Sequence, residues 1–324
     1  MRILVTGSSG YIGSLLVPTL QSRGHDVVGL DRAVPGGAQP DSFIHTDLLA
    51  PGGLDGAFDG VDLVMHLAAA RVDWGLPDEG FFRDNLHATK ALLDAGTAAG
   101  ITNWFFYSTV GVMRASREPL DELTPNEPII AYGKSKSEAE KLFAGFAEAN
   151  REAKVTMLRP SAVFGPGNPS NTNIYRLIDA VYKRRFVMVG NGDALKTTSY
   201  HDNLIAATLY LMDRMTAGVE TYIYVDQPVL STGELVSLIA RELGLPEPSL
   251  SLPLWIASPI SKVADVAAAV TGRDLPITSA RIEKFCRSTN FSPAKLLNAG
   301  FVPPVSVEDA LKATVEWYRR EVAA

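Results

Sequence analysis

The first thirteen residues decide the fold of this chain, and they read MRILVTGSSGYIG from Met1 to Gly13. Residues 2–6 are an apolar run with the composition of a buried β-strand, and they lead directly into Gly7 and Gly10. Glycines at this three-residue spacing allow a tight turn and a close approach of the backbone to a phosphate. The helix that follows offers unpaired N–H groups and the positive end of its dipole. The stretch therefore predicts a dinucleotide pyrophosphate site between the first strand and the first helix.

A carboxylate at the end of the second predicted strand extends this site. Asp31 lies 18 residues after Gly13, where it can accept hydrogen bonds from adenosine ribose hydroxyls and would repel a 2′-phosphate. Arg32 follows directly and could reach such a phosphate. The pair favours NAD over NADP, and Arg32 leaves the NADP alternative open.

Strand-like and helix-like segments alternate through the first 165 residues. Apolar β-rich runs occupy residues 2–6, 26–31, 63–67, 104–108 and 155–159, and helical periods occupy 13–22, 82–99 and 132–150. This alternation predicts an α/β Rossmann fold, a doubly wound parallel sheet covered on both faces. Turn-forming residues at 165–169 end this alternation of strands and helices. The chain is expected to return once to the sheet after them. We predict an NAD-binding domain over 1–165 with a return segment near 197–228, and a smaller, mostly helical substrate domain over 166–196 and 229–324.

Tyr132 and Lys136 form the candidate catalytic pair. A spacing of four places them on one helical face about one turn apart. An ammonium close to a phenol favours the phenolate, which is the form a general base needs. Thr109 follows the fourth predicted strand and can hold the same substrate oxygen, with Ser108 as a rival and capping of the next turn as the structural alternative. These residues predict proton and hydride transfer at a carbinol carbon.

Composition and charge restrict the partners. The net charge is −6 and the basic residues are scattered, which argues against a nucleic-acid groove or an anionic membrane surface as the main partner and favours a small-molecule substrate. Cys286 is the single cysteine, so no internal disulfide can form, and we expect it to pack rather than react. No secretory signal pattern begins the chain, which favours a cytoplasmic location. Residues 252–270 are apolar but interrupted by prolines and charges, and they are expected to cover a pocket rather than contact a membrane. No pattern predicts a metal site.

Taken in order, the glycine loop, Asp31, Thr109, Tyr132 and Lys136 resemble the extended short-chain dehydrogenase/reductase superfamily, in its NAD-dependent epimerase/dehydratase family. The opening thirteen residues, together with GHDV at 24–27, are similar to those of UDP-galactose 4-epimerases. The resemblance implies NAD as cofactor and a homodimer formed by the helices at 82–99 and 132–150. It also implies further cofactor contacts, from Tyr11 and Ile12 on the pyrophosphate, Asp47 and Leu48 on the adenine, and Leu67, Ala68, Ala69, Arg71, Asn85, Ser108 and Pro160.

Departures from the family pattern bear on the reaction. Dehydratases of this family carry an Asp-Glu pair directly after the catalytic Thr, whereas Val110 and Gly111 follow Thr109 here, so dehydration is not expected. Ala162 stands where many nucleotide-sugar enzymes have Asn. Lys196 stands where they have an Arg for the substrate pyrophosphate, and a Lys supplies a point charge without the bidentate fork. The resemblance implies substrate contacts from Thr109, Ala162, Asn173, Lys196 and Arg281, with Asn173 as a replacement for the missing amide.

Three functions remain open at this stage. The leading hypothesis is oxidation at C4 of a nucleotide sugar to a keto intermediate, followed by return of the hydride to the other face. The alternative is a net dehydrogenase or reductase of the 3β-hydroxysteroid dehydrogenase or dihydroflavonol reductase type, suggested by Pro160, Ser161, Ala162 and the apolar stretch 252–270. A non-catalytic NAD-binding scaffold or sensor is the third, and the presence of both Tyr132 and Lys136 argues against it.

Overall fold

A parallel sheet organises the N-terminal two thirds of the chain. The structure is a computed structural model that describes residues 1–71, 75–259, 262, 265, 279, 282 and 286–323. Its strands are β1 (Arg2–Thr6), β2 (Asp26–Asp31), β3 (Ser42–His45), β4 (Leu63–His66), β5 (Asn103–Tyr107), β6 (Lys154–Pro160), β7 (Ala162–Phe164), β8 (Met188–Val189), β9 (Leu195–Lys196), β10 (Thr198–Tyr200), β11 (Gly218–Tyr224), β12 (Leu230–Ser231) and β13 (Ser251–Leu252). Seven of these strands pair in the order β11-β6-β5-β4-β1-β2-β3, all parallel. This is the predicted doubly wound fold.

Helices connect and flank these strands. They are α1 (Gly13–Ser22), α2 (Asp78–Phe81), α3 (Ala88–Ala98), α4 (Ala131–Ala149), α5 (Asn173–Tyr182), α6 (His201–Met212), α7 (Thr232–Leu243), α8 (Ala294–Asn298) and α9 (Val307–Glu321). A π-helical turn, Phe82–His87, joins α2 to α3, and a 3₁₀ turn, Val110–Val112, follows β5.

Alternating side chains along the strands build a core on each face of the sheet. On one face Leu4 and Val64 pack in the cluster that contains Leu92 of α3 and Phe143 of α4. On the other face, residues such as Ile3 pack in the cluster formed with α1 and α6. Because both faces are covered and every strand runs the same way, the carboxyl ends of the strands meet at one edge, where α/β proteins bind ligands.

The C-terminal helices have a core of their own. Ile178 of α5, Ile239 of α7 and Val315 of α9 belong to one buried cluster. Between the helices of this cluster, β11 returns to the sheet beside β6, with Tyr224 opposite Pro160. The cluster therefore lies next to the edge of the sheet that carries the ends of β6 and β11.

One helix and one strand of the parallel-sheet region differ from the sequence-based prediction. The helix expected over 82–99 begins earlier, with α2 at Asp78, and continues through the π-helical turn and α3 to Ala98; the wider turn contains the buried Asn85. The strand β3 was not predicted, since its four residues are only partly buried at the sheet edge and carry no strong apolar period. Arg281 and most of the stretch 260–285 lie outside the described residues.

Candidate active site

The glycine loop makes a tight turn between β1 and α1. The N–H of Gly10 donates to the carbonyl of Gly7 at 3.1 Å, and Gly7 has φ +74°, a left-handed conformation that favours glycine. A Cβ on Gly13 would lie 2.2 Å from the Gly7 oxygen. Tyr11 and Ile12 lead into α1, and Ile12 is its N-cap, where the first N–H groups have no partner within the helix. The loop therefore fits the pyrophosphate of a dinucleotide.

Asp31 ends β2 beside this loop. Its carboxylate accepts the N–H groups of Ser9 and Ala33, each at 3.0 Å. A carboxylate offers about four lone-pair positions, so about two remain for ribose hydroxyls. The acid therefore shapes the glycine loop and can still receive the ribose.

Arg32, which kept NADP as an alternative cofactor in the sequence analysis, forms ion pairs with two carboxylates. Its guanidinium pairs with Asp84 at 3.2 Å and with Asp47 at 3.5 Å. Together with Asp31, these carboxylates make the region unfavourable for a 2′-phosphate. Leu48 has its side chain buried in the core, which leaves only its backbone for the predicted adenine contact.

We expect Asp31→Ser to weaken NAD binding by about 10- to 100-fold, since hydrogen bonds to a charged group contribute about 1.5–3 kcal/mol. The affinity for NADP will stay the same or rise, because a repelling charge is removed. Titration calorimetry with each cofactor measures both effects. Asp26→Ser, at the opposite end of β2 and paired on the surface with Arg2, is the control. Equal losses of NAD affinity in the two variants would contradict the assignment.

A neutral histidine ties the end of β4 to the neighbouring elements. The Nδ1 atom of His66 lies 2.7 Å from the Thr6 hydroxyl, and its Nε2 atom lies 2.8 Å from the Thr89 hydroxyl. Thr89 donates its own proton to the Asn85 carbonyl at 2.6 Å, so His66 donates from Nε2 and accepts at Nδ1. Burial, with a smaller contribution from Lys136, holds the pKa of His66 well below its usual range. His66 therefore positions the strand end as an uncharged ring.

Asn85 holds the loop that follows β4. Its amide oxygen accepts the N–H of Ala70 at 2.7 Å, and its amide nitrogen donates to the Ala70 carbonyl at 3.1 Å and to the Ser135 hydroxyl at 3.0 Å. The side chain is thus engaged within the protein and links the loop to α4. The predicted cofactor-lining residues Leu67, Ala68 and Ala69 lie between the end of β4 and this contact at Ala70.

Tyr132 and Thr109 lie side by side. Thr109 directly follows β5 and its hydroxyl accepts the N–H of Gly111 at 3.0 Å. The Thr109 side chain and the Tyr132 ring both lie beside Gly111, which places the two side chains next to each other. Burial raises the pKa of Tyr132, whereas the positive charge of Arg71 and the neighbouring Thr109 side chain lower it. The pair can therefore hold one substrate oxygen and exchange its proton.

Gly133, which sequence reasoning missed, sets this contact. A Cβ at position 133 would lie 2.2 Å from the carbonyl oxygen of Gly111. Only glycine lets the first turn of α4 pack directly on the 3₁₀ turn that follows Thr109, and this packing keeps Tyr132 beside Thr109.

The Lys136 side chain is buried against the ring of Phe106. Its side chain is 1% exposed, and its Nζ atom lies 3.9 Å from the centre of the Phe106 ring. Burial lowers the pKa of Lys136 to about 7, and the charge of Glu140 opposes that shift. The cation whose charge lowers the pKa of Tyr132 in this structure is Arg71. The effect of Lys136 on Tyr132 expected from the sequence stays a prediction.

The pKa of Lys136 predicts a pH dependence of stability. The unfolded Lys136 titrates near 10.5 and the folded one near 7, so between these values the unfolded chain binds more protons. Stability therefore rises with pH in this window. In the absence of added cofactor, we expect the wild type to gain on the order of 2 kcal/mol relative to Lys136→Met between pH 7 and pH 9, measured by urea unfolding. Lys134→Met, an exposed change on the same helix, should behave as the wild type; parallel curves for wild type and Lys136→Met would contradict the assignment.

A buried ion pair joins β6 to α4 next to the candidate site. Arg159 of β6 donates to both carboxylate oxygens of Glu140 on α4, at 2.8 and 2.6 Å. Glu140 also accepts from the Ser108 hydroxyl at 2.5 Å and from the Asn126 amide at 2.9 Å. The Ser108 hydroxyl is thus committed to Glu140, and Thr109 is the one beside Tyr132. Sequence reasoning missed the pair, although Glu140 lies one helical turn beyond Lys136.

The predicted substrate residues come from separate elements. Ala162 begins β7 and is half-buried, and Asn173 begins α5 and is exposed. The Nζ atom of Lys196 on β9 donates to the Arg287 carbonyl at 2.7 Å. Lys196 also lies close enough to Cys286 to lower the pKa of its thiol, against burial that raises it. Arg281 lies outside the described residues. Pro160, predicted at the cofactor, is buried at the end of β6.

Several known proteins are similar to this chain in sequence and in architecture. The model of the NAD dependent epimerase/dehydratase family matches residues 3–225. The N-acetyl-alpha-D-glucosaminyl-diphospho-ditrans,octacis-undecaprenol 4-epimerase of Escherichia coli O157:H7 is 30% identical over 98% of this chain and 95% of its own length. The 2-alkyl-3-oxoalkanoate reductase of Stenotrophomonas maltophilia is 28% identical over 96% of this chain and 98% of its own length. The solved structure of MoeE5 in complex with UDP-glucose and NAD is 26% identical with a TM-score of 0.78, and 99% of each chain is covered.

This chain belongs to the NAD-dependent epimerase/dehydratase family. It is an NAD-dependent enzyme of the epimerase or dehydrogenase type with the extended short-chain dehydrogenase/reductase fold, as the sequence predicted. The glycine loop and Asp31 fit NAD by their own geometry. The catalytic and binding roles of the individual site residues stay predictions.

Proposed function

We propose that this enzyme inverts C4 of a hexose that is linked to a diphosphate. The observation that carries the proposal is the Thr109–Tyr132 contact at the carboxyl end of β5, on the same sheet edge as the glycine loop and Asp31. This edge brings a proton acceptor next to a dinucleotide site. The similarity to a sugar 4-epimerase over nearly the whole chain supports the same reaction.

Three side chains of the site have different roles in the reaction of the sugar. Thr109 holds the C4 oxygen while Tyr132 takes the hydroxyl proton. NAD held by the glycine loop and Asp31 would supply the hydride acceptor for the hydrogen on C4 and the hydride donor for its return. The resulting 4-keto sugar turns its other face, and Tyr132 gives its proton back to the oxygen as the C–H bond re-forms. Arg71 favours the anionic form of Tyr132 during the first step.

The diphosphate is the feature shared by the two candidate substrate carriers. MoeE5 is described in complex with UDP-glucose, and the Escherichia coli relative is named for a sugar on diphospho-undecaprenol. Lys196 is the cation we assign to the diphosphate, as a point charge that does not demand one phosphate geometry. We further propose that residues 166–196 and 229–324 hold the substrate and that the enzyme is a homodimer through the face formed by α3 and α4.

Product analysis tests the function. The purified enzyme with NAD is incubated with UDP-glucose, UDP-N-acetylglucosamine and a polyprenyl-diphospho-N-acetylglucosamine, and the sugars are released and separated. We expect a C4-inverted product from at least one substrate, with no net accumulation of NADH. Absence of an inverted sugar with all three would overturn the proposal.

Net reduction is the second candidate function. The similarity to a 2-alkyl-3-oxoalkanoate reductase and the Ala162 substitution favour it. A reductase would consume NADH or NADPH in proportion to added ketone, whereas an epimerase leaves the cofactor pool unchanged. Absorbance of the reduced nicotinamide separates the two.

A further inference from the structure

Three large apolar side chains are exposed over six residues that follow α7. Leu250, Leu254 and Trp255 are 64%, 50% and 77% exposed, and we call them the 250–255 surface. Large apolar side chains are usually buried in a folded protein, so the joint exposure of these three marks an interaction surface.

The 250–255 surface is attached to the fold by regular hydrogen bonds. Its strand β13 pairs in parallel with β8, and the N–H of Met188 donates to the Leu250 carbonyl at 3.0 Å. The N–H of Gly190 donates to the Leu252 carbonyl at 3.0 Å. The apolar side chains are therefore presented by a hydrogen-bonded segment.

A basic run lies at one end of this surface. Lys183, Arg184 and Arg185 are all exposed and lead within three residues into β8. The N–H of Met188, three residues after Arg185, donates to the Leu250 carbonyl, so this run precedes the segment that is bonded to the 250–255 surface. Within the run, Lys183 also pairs with Asp179 at 2.7 Å. The combination of a tryptophan, leucines and neighbouring basic residues is typical of surfaces that bind the interface of an anionic bilayer.

A cavity lies between this surface and the segment that contacts Lys196. Leu254 lines a cavity of about 190 Å³ together with Val189 and Cys286, and Asn191 and Asp193 supply polar groups to its lining. The residue after Cys286 is Arg287, whose carbonyl accepts the Nζ proton of Lys196 at 2.7 Å. An apolar chain on a diphosphate at Lys196 would leave the site past Cys286 towards Leu254.

We propose that the 250–255 surface binds an anionic lipid bilayer and receives from it a substrate whose diphosphate carries a polyprenyl chain. This inference rests on the proposed function, and it selects the lipid carrier over the nucleotide carrier. Among the described residues no helix is long and apolar enough to cross a bilayer, and the attachment proposed here is peripheral. It revises two expectations from the sequence, namely that the apolar stretch beginning at residue 252 only covers a pocket and that the charge argues against an anionic membrane surface as the main partner.

Vesicle sedimentation tests the surface. The full chain is mixed with vesicles of phosphatidylcholine and phosphatidylglycerol, and the bound fraction is measured for the wild type, for Leu254→Ser/Trp255→Ser and for Val302→Ser. Val302 is 79% exposed on another part of the molecule and provides the matched control. We expect the double variant to bind about tenfold or more weakly, and Val302→Ser to bind as the wild type. Phosphatidylcholine alone should bind the wild type more weakly than the mixture.

Activity assays separate this inference from the proposed function. The double variant should lose activity on polyprenyl-diphospho-N-acetylglucosamine in vesicles but keep it on a water-soluble analogue with a short prenyl chain. Wild-type binding to vesicles that is absent, or unchanged in the double variant, would overturn the inference. So would loss of self-association in the double variant without any effect on vesicles, since the surface would then join two copies of the chain. Vesicle binding that depends on the surface, without an inverted product from any substrate, would overturn the proposed function alone.

Discussion

Tyr132→Phe is expected to lower turnover by about 10²- to 10⁴-fold. The change removes one oxygen atom, the one that accepts and returns the substrate proton, and leaves the ring that packs edge-on against Phe81. NAD affinity should stay within about twofold, because the phenol lies beside Thr109, whereas the dinucleotide is held at the glycine loop and Asp31. Single-turnover kinetics and calorimetric titration with NAD measure the two effects separately.

A matched control distinguishes the loss of the proton acceptor from general damage. Tyr222→Phe removes a hydroxyl from a half-buried tyrosine of β11 whose ring contacts Lys295, and it should leave turnover unchanged. Full activity of Tyr132→Phe would remove Tyr132 from the mechanism. Equal loss of turnover in both variants would point to a folding defect instead.

Arg159→Met is expected to destabilise the fold by about 3–5 kcal/mol. The Arg159 and Glu140 side chains are 7% and 6% exposed, so the variant leaves a carboxylate buried without its cation. The loss should appear as a lower urea midpoint at neutral pH. Because Glu140 also receives the Ser108 hydroxyl, the strand end that carries Thr109 should loosen as well.

Two further variants make this prediction specific. Glu140→Gln/Arg159→Met removes both charges and should recover part of the lost stability, since the double variant buries no unpaired ion. Lys141→Met breaks an exposed pair with Glu138 on the same helix and should cost less than about 1 kcal/mol. A double variant no more stable than Arg159→Met would show that the charge pairing is not the cause.

Much of the fold could be predicted from local patterns. The alternation of apolar runs and helical periods is a property of neighbouring residues, and β1, β2 and α1 begin and end where that pattern placed them. The π-helical turn could not be predicted in this way. It depends on Asn85 reaching Ala70 and Ser135, which are 15 and 50 residues away along the chain, and no periodicity contains such contacts.

In the candidate site, too, short-range features could be predicted from the sequence, whereas contacts between distant residues could not. Glycine spacing, the acid at position 31 and the four-residue spacing of Tyr132 and Lys136 are short-range features, so the sequence alone identified the family, the cofactor and the chemistry to look for. Tertiary structure decided which charge acts on which group. The Lys136 ammonium faces Phe106 while Arg71 acts on Tyr132, Glu140 meets Arg159 from another strand, and Leu254 opens onto a cavity that reaches Cys286. Electrostatic effects and burial depend on distance in space rather than along the chain, so these assignments required the folded structure.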